Sequence, residues 1–184
     1  MKQIEYSEAR SLMQPGDLIG FSGMSPASFV IRFVTGSDIS HVGTILRTNV
    51  SGTDLQINHI IESGSIGKGK AGVKINRMSD HIRDYAGKIY WYPLHDDVRN
   101  ILDEKAMFDF LLSHKGKPYD APQAILSVLP IESKENFDWL FCSELSAGGY
   151  EAGGLTGDKD LNCSKVTPGA LVEIPWFKER VLIA

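Results

Sequence analysis

Residues 41–62, HVGTILRTNVSGTDLQINHIIE, decide the fold of this chain. They hold two runs rich in β-branched and other apolar residues, HVGTILR at 41–47 and LQINHIIE at 55–62. The segment between the runs is polar and contains Gly52, which favours a turn. This pattern predicts an antiparallel hairpin.

Elements on both sides of the hairpin complete a mixed pattern. The chain before it predicts a helix at 5–13, a strand at 17–21 and a helix that begins near Pro26 and ends at Gly36. The chain after it predicts a glycine-rich loop at 63–72, a helix at 78–85, a strand at 88–94, a helix at 98–115, a helix from Cys142 to Gly153, a helical turn at 167–168 and a strand at 180–183. The predicted fold class is α+β, with a mostly antiparallel sheet or small barrel packed on helices.

The whole chain has the size and composition of one domain, predicted to span residues 1–184. It is 42% hydrophobic and 23% charged, without repeats or low-complexity tracts. A formal net charge of -4 argues against a nucleic-acid partner, which requires a basic face. The opening MKQIEYSEARS lacks a signal core, and no apolar run reaches the roughly 18 residues that span a bilayer. A cytoplasmic location without a transmembrane segment is expected.

Cys142 is the first candidate for chemistry. It opens the helix-forming segment CSELSAGGYEAGG and is therefore expected in the first helical turn. Free N–H groups and the helix dipole favour a thiolate there, which is the reactive form of cysteine. The backbone N–H of Cys142 would then be available to an oxyanion. The alternative is a cysteine that only packs in the core. Cys163 has no comparable setting and is expected to be structural.

His41 is the candidate base for this thiol. It begins a strand after a polar stretch, at the expected margin of the sheet. A turn centred near residues 51 and 52 places Glu62 beside His41 on the neighbouring strand. A carboxylate in that position would hold one imidazole nitrogen while the other faces the thiol. The alternative is a cross-strand charge pair without a catalytic role.

The other four histidines are predicted to lie outside the site. His59 shares a strand with Glu62 but should point to the opposite face, because side chains alternate along a strand. His81, His95 and His114 stand in the polar contexts SDHIRD, PLHDD and LSHKG, which are typical of exposed surface. Each of these three is predicted to be solvated.

Several short segments carry a resemblance to a known family. They are PGDLIGF at 15–21, HVG at 41–43, IES at 61–63, GKPYD at 116–120, FCSEL at 141–145 and TPGALVEIPWF at 167–177. In this order they resemble the circularly permuted NlpC-type enzymes of the papain-like superfamily, in particular its YiiX-like set. The resemblance implies a permuted papain-like fold and a bacterial or phage origin.

The resemblance also implies roles for individual residues. Cys142 would be the nucleophile, His41 the base and Glu62 the orienting residue. Tyr119 would line the pocket, and Phe141 and Ser143, which flank the nucleophile, are expected to contact substrate. Phe141 stands where many relatives have Tyr, which leaves the second oxyanion donor unassigned.

Neither the resemblance nor the residues predict a cofactor or a metal. The two cysteines are far apart, and the sequence has no CxxC or HxxxH grouping of zinc ligands.

The expected reaction is thiolate attack on a carbonyl, which forms an acyl-enzyme. An amide or peptide substrate, such as a cell-wall-type peptide, is the preferred interpretation. A lipid acyl hydrolase or acyltransferase is the alternative, because the apolar stretch AILSVLPI at 124–131 would suit an acyl groove. A binding module that keeps the fold without the chemistry is the third hypothesis.

Overall fold

The computed structural model describes residues 1–64, 71–118, 141–156 and 166–184. The strands within these ranges are β1 (Lys2–Ile4), β2 (Leu18–Gly23), β3 (His41–Asn49), β4 (Gln56–Gly64), β5 (Gly72–Arg77), β6 (Gly87–Tyr92) and β7 (Val181–Ile183). The helices are α1 (Tyr6–Leu12), α2 (Pro26–Thr35), α3 (Met78–Asp84), α4 (Asp96–Ile101), α5 (Glu104–Ser113), α6 (Cys142–Ala152) and α7 (Pro168–Val172).

The described strands form one sheet in the order β1-β7-β6-β2-β3-β4-β5. The edge strand β1 runs parallel to β7, and all other neighbouring strands are antiparallel. The predicted α+β class is therefore confirmed. The predicted alternative of a small barrel is wrong, because β1 and β5 lie at opposite edges of an open sheet. No helix in the described ranges is long and apolar enough to cross a membrane.

Alternation along the central strands separates two hydrophobic cores, one on each face of the sheet. The first core contains Leu18, Val42 and Ile61 and packs against α5 and α6. The second core contains Ile19, Ile45 and Ile60 and packs against α1 and α3. Each buried side chain of this size contributes about 1.5–3 kcal/mol, so both helical layers are held firmly on the sheet.

The hairpin of β3 and β4 forms as predicted, but its register differs. Thr44 pairs with Ile61, and continuing this register places Gly64 opposite His41. The predicted pairing of His41 with Glu62 is thus displaced by two residues. The reason is the turn, where the Val50 N–H donates to the Leu55 carbonyl at 2.9 Å and moves the centre one residue along the chain. A displacement of two keeps His41 and Glu62 on the same face.

Four features of the fold depart from the sequence prediction. Strand β5 and the short strand β1 were not predicted, and β4 extends to Gly64 into the predicted loop. The single helix predicted at 98–115 is instead two helices, α4 and α5. The break occurs because the Asp103 side chain caps α5, accepting from the Ala106 N–H at 2.9 Å.

Candidate active site

Cys142 is the first residue of α6, as the sequence predicts. Phe141 precedes the helix in an extended conformation and accepts the first helical hydrogen bond, from the Leu145 N–H at 3.0 Å. The N–H groups of the first turn have no partner within a helix, so they are available to an anion. Cys142 is a free cysteine that is only 5% exposed.

Small residues in α6 position Cys142 by letting the helix lie close to its neighbours. A Cβ at Gly148 would lie 2.8 Å from the Phe110 ring, and one at Gly149 would lie 2.8 Å from Leu111. Only glycine therefore allows this contact between α5 and α6 without displacing α5 side chains. On the sheet side, the Thr44 hydroxyl donates to Ser146 at 3.2 Å.

His41 joins the thiol to a carboxylate. Its Nε2 lies 2.6 Å from Oε2 of Glu62, and the Cys142 side chain is close enough to the same ring to interact with it electrostatically. Since Nε2 faces Glu62, Nδ1 is the nitrogen left for the sulfur. The structure thus brings together the three residues that the sequence predicts as nucleophile, base and orienting group.

Two glycines make room for this diagonal contact across the hairpin. A Cβ at Gly64 would lie 2.9 Å from Cε1 of His41. A Cβ at Gly43 would lie 3.0 Å from the Cβ of Glu62. Real Cβ atoms hardly ever approach so closely, so side chains at these positions would push the imidazole and the carboxylate from their places.

Glu62 is fully buried and uses both carboxylate oxygens. Oε2 meets His41, whereas Oε1 lies 2.7 Å from Nε2 of His81 and accepts from Nδ2 of Asn76 at 2.7 Å. A buried carboxylate is costly unless it is paired and hydrogen-bonded. Hydrogen bonds with these three partners offset the cost of burying the carboxylate and fix its plane.

His81 is the residue that sequence reasoning missed, because the prediction that it is solvated is wrong. It is buried on α3 together with Met78, three residues earlier on the same helix face. Ile82 and Tyr85 pack against the same core. The helical spacing of these four residues is the signal that would have turned His81 inward, despite its polar neighbours in sequence.

Phe21 encloses the histidine pair from the neighbouring strand β2. Its ring centroid lies 5.4 Å from that of His41 and 5.3 Å from that of His81. Tyr85 packs on the same phenyl ring at 4.9 Å. This apolar wall holds both imidazoles in place and strengthens their interactions with Glu62 by excluding water.

The two charged groups beside the thiol are strongly perturbed. Burial disfavours a charged His41, but the Cys142 thiolate and Glu62 outweigh burial and raise the pKa of His41 to about 10. Burial also acts against the charge of Glu62, but hydrogen bonds from His41 and His81 lower its pKa to about 2. At neutral pH the arrangement favours an imidazolium at His41, backed by an ionised carboxylate at Glu62.

The residues predicted to contact substrate are Phe141, Ser143 and Tyr119. Phe141 and Ser143 are both buried, and the Ser143 hydroxyl has no hydrogen-bond partner among the described residues. Their role in substrate binding stays a prediction. Tyr119, Cys163 and the stretch 124–131 lie outside the described residues.

The other histidines take no part in the site. His95 is exposed, as predicted. His114 is buried at the end of α5, where Nδ1 lies 2.7 Å from the Phe110 carbonyl, so its predicted exposure is wrong. His59 is half-buried, and its Nδ1 lies 3.3 Å from the Thr48 hydroxyl.

The described residues contain no group of three or more His, Cys, Asp or Glu side chains that could hold a metal ion. In the site itself, Nε2 of His41 and Nε2 of His81 are directed at the oxygens of Glu62 at hydrogen-bonding distance. These nitrogens are therefore committed to the carboxylate.

Fold and site together define an α+β protein with a buried chain of contacts from cysteine through histidine to glutamate. No family model and no curated protein matches the sequence. Among solved structures, the chain is similar to the metalloprotein YiiX from Escherichia coli O157:H7. The two are 20% identical, and the match covers 93% of this chain and 96% of that chain with a TM-score of 0.63. The chain therefore has a YiiX-like fold, while the NlpC-type permutation stays a prediction.

Proposed function

We propose that this protein is a cysteine hydrolase that cleaves an amide or peptide bond through an acyl-enzyme. The observation that carries the proposal is that His41 interacts with Glu62 on one side and with Cys142, the first residue of α6, on the other. A nucleophile, a base and a group that orients the base are the parts such a reaction needs.

In the first half of the reaction, the Cys142 sulfur attacks the carbonyl carbon, and the electron pair of the C=O bond moves to oxygen. The N–H of Cys142 donates to this oxyanion. When the intermediate collapses, His41 gives its Nδ1 proton to the leaving nitrogen as the C–N bond breaks. An amine leaves and a thioester remains on Cys142.

In the second half, His41 takes a proton from water, whose oxygen attacks the thioester. The C–S bond breaks, the acid leaves, and the thiolate and imidazolium are restored. Glu62 keeps the imidazole in orientation and offsets its positive charge throughout. Glu62 itself does not take the proton, because its pKa of about 2 leaves it ionised.

An amide substrate is the first choice because an amine must be protonated before it leaves. A His41 that remains charged at neutral pH supplies that proton. Short peptides, including those of cell walls, are the substrate class that we propose.

A lipid acyl substrate is the second candidate, and helix α2 favours it. This helix exposes Phe29 and Phe33 to solvent, with stacked rings 6.3 Å apart. An apolar surface of this kind suits a substrate that carries a hydrocarbon chain.

A metal-dependent reaction is not proposed, although the YiiX structure is described as that of a metalloprotein. The donors of the site are of types that bind metals, but the described residues do not arrange them as a group that could hold an ion. Both histidine nitrogens lie 2.6–2.7 Å from carboxylate oxygens, the spacing of hydrogen bonds.

The test uses a Cys163→Ser background, which leaves Cys142 as the sole cysteine. After exposure to p-nitrophenyl acetate, intact mass spectrometry should find one acetyl group on the protein. The adduct should be absent in Cys142→Ala and should form much more slowly in His41→Gln. Release of nitroaniline from a set of aminoacyl p-nitroanilides then tests the preference for amides. A background protein that never acylates would leave a binding module as the better interpretation.

A further inference from the structure

Helix α2 is attached to the protein by its polar side. Arg32 Nη1 donates to the Ser22 hydroxyl at 3.1 Å, and Ser28 lies against Gly23, which has no room for a Cβ. No residue of α2 is buried. An amphipathic helix on a globular protein normally turns its apolar stripe toward the core, so this orientation is reversed.

The outward side of α2 is apolar. Phe29 is 61% and Phe33 79% exposed, and Val30 and Val34 beside them are also exposed. The spacing i, i+1, i+4, i+5 puts these four side chains on one side of the helix. Met24, just before the helix, is exposed as well. A contiguous apolar patch of this kind indicates an interaction site.

A positively charged cavity of about 460 Å³ borders the same helix. It is lined by Ser22, Met24, Arg32, Asp38, Gly87, Lys88 and Tyr90. Asp38 is neutralised by Arg180, whose Nη1 donates to it at 2.7 Å. Arg32 and Lys88 therefore leave the cavity with net positive charge, and Arg32 Nε is buried without a partner among the described residues.

We propose that α2 and this cavity form a docking surface for a lipid bilayer that carries anionic headgroups. The exposed aromatic and aliphatic side chains would enter the boundary between headgroups and acyl chains. Arg32 and Lys88, which line the cavity, would bind the phosphate of a lipid headgroup. A convex helix with apolar residues outward and cations at its margin complements such a surface in both polarity and charge.

The proposal does not depend on the thiol chemistry. The formal net charge of the whole chain is -4, so attraction to an anionic surface is local to this patch. Binding should therefore weaken as salt is raised, because salt screens exposed charges.

Co-sedimentation of the full chain with vesicles tests the proposal. Vesicles of phosphatidylcholine with phosphatidylglycerol should bind the protein better than phosphatidylcholine alone. The double variant Phe29→Ser, Phe33→Ser should bind at least about tenfold more weakly, since two aromatic side chains are lost from the membrane boundary. Lys88→Gln should bind the anionic vesicles about fivefold more weakly and neutral vesicles unchanged.

Two controls make the result decisive. Leu55→Ser removes an exposed apolar residue from the distant β3–β4 turn and should bind like the wild type. Cys142→Ala should also bind normally, which separates docking from catalysis. Equal losses in Leu55→Ser and in the double variant would overturn the proposal. So would a dimer in light scattering that the double variant converts to monomer, because a second copy would then cover α2.

Discussion

His41 and Glu62 meet diagonally across the hairpin of β3 and β4, with Nε2 and Oε2 2.6 Å apart. The positions directly opposite them hold glycines, Gly64 and Gly43, so neither side chain is displaced by a cross-strand neighbour. The geometry of the pair therefore depends on the two glycines as well as on the two side chains. Substitutions at the glycines and at the side chains can both test it.

The reactivity of Cys142 should depend on the charge of His41. A pKa raised to about 10 keeps the His41 imidazolium present across the neutral range, so a positive charge stays beside the Cys142 sulfur. In the Cys163→Ser background, alkylation by iodoacetamide should stay fast down to pH 6. In His41→Gln it should slow about tenfold for each unit below roughly pH 8, as for an isolated thiol. Identical pH profiles would show that no ion pair forms.

Glu62 should make the folded state sensitive to acid. Its pKa is lowered from 4.5 to about 2, so its contribution to stability is complete above pH 4.5 and is lost as the pH falls toward 2. Between pH 5 and pH 2 the wild type should lose on the order of 3 kcal/mol more unfolding free energy than Glu62→Gln. Urea denaturation at both pH values measures the difference. Parallel losses would mean that Glu62 is not ionised in the folded protein.

His81 should act as a positioning residue through Glu62. His81→Leu removes the hydrogen bond to Oε1, and acylation by p-nitrophenyl acetate should slow about tenfold or more, with KM unchanged. His81→Gln retains an amide donor and should recover part of the rate. His95→Leu, at an exposed histidine, is the matched control and should acylate normally. A loss of stability in His81→Leu with no change in acylation would limit His81 to a structural role.

Gly64→Ala should disable the site while preserving the fold. The new Cβ would lie 2.9 Å from Cε1 of His41, so the ring must move. A displacement of about 1 Å costs on the order of a hundredfold in rate. The overpacking should cost about 1–3 kcal/mol of stability, measured by urea denaturation. Asn49→Ala, at the exposed end of the same hairpin, should change neither quantity by a comparable amount.

Asp17 should be essential for stability, apart from the chemistry. It is buried and accepts hydrogen bonds from the Gln14 N–H, the Leu94 N–H, the Trp91 indole and the Arg99 guanidinium. Asp17→Ala leaves Arg99 without its carboxylate and should cost about 3–5 kcal/mol in urea denaturation. Asp54→Ala, at an exposed position in the β3–β4 turn, should cost less than about 0.5 kcal/mol. Equal costs would show that the Asp17 cluster adds nothing to stability.

The parts of this fold that the sequence predicts are those with a long periodic signal. The hairpin of β3 and β4 and helix α6 follow from apolar runs and helix-start residues, and they place Cys142, His41 and Glu62 correctly by element. The face shared by His41 and Glu62 was also predictable, because a register displaced by two leaves the face unchanged. The register itself depends on one backbone hydrogen bond in the turn, from Val50 to Leu55, which composition does not reveal.

The parts that were missed are stabilised by tertiary contacts rather than by local pattern. β1 has only three residues and forms by pairing with β7 at the far end of the chain. β5 forms by pairing with β4, and its Asn76 then reaches Glu62. His81 is a different case, because its charged neighbours in sequence predict exposure while the helical spacing of Met78, His81 and Tyr85 predicts burial.

The enclosure of His41 restricts how a molecule reaches it. Phe21 covers one flank of the ring, the backbone at Gly64 covers another, and Glu62 closes the Nε2 end. Among these described neighbours, Glu62 leaves Nδ1 as the free nitrogen of the ring. In the proposed reaction, the departing amine and the arriving water would both be served by this one nitrogen. In the proposed hydrolysis, the amine would therefore have to leave before water could take its place, which would impose a fixed order of release.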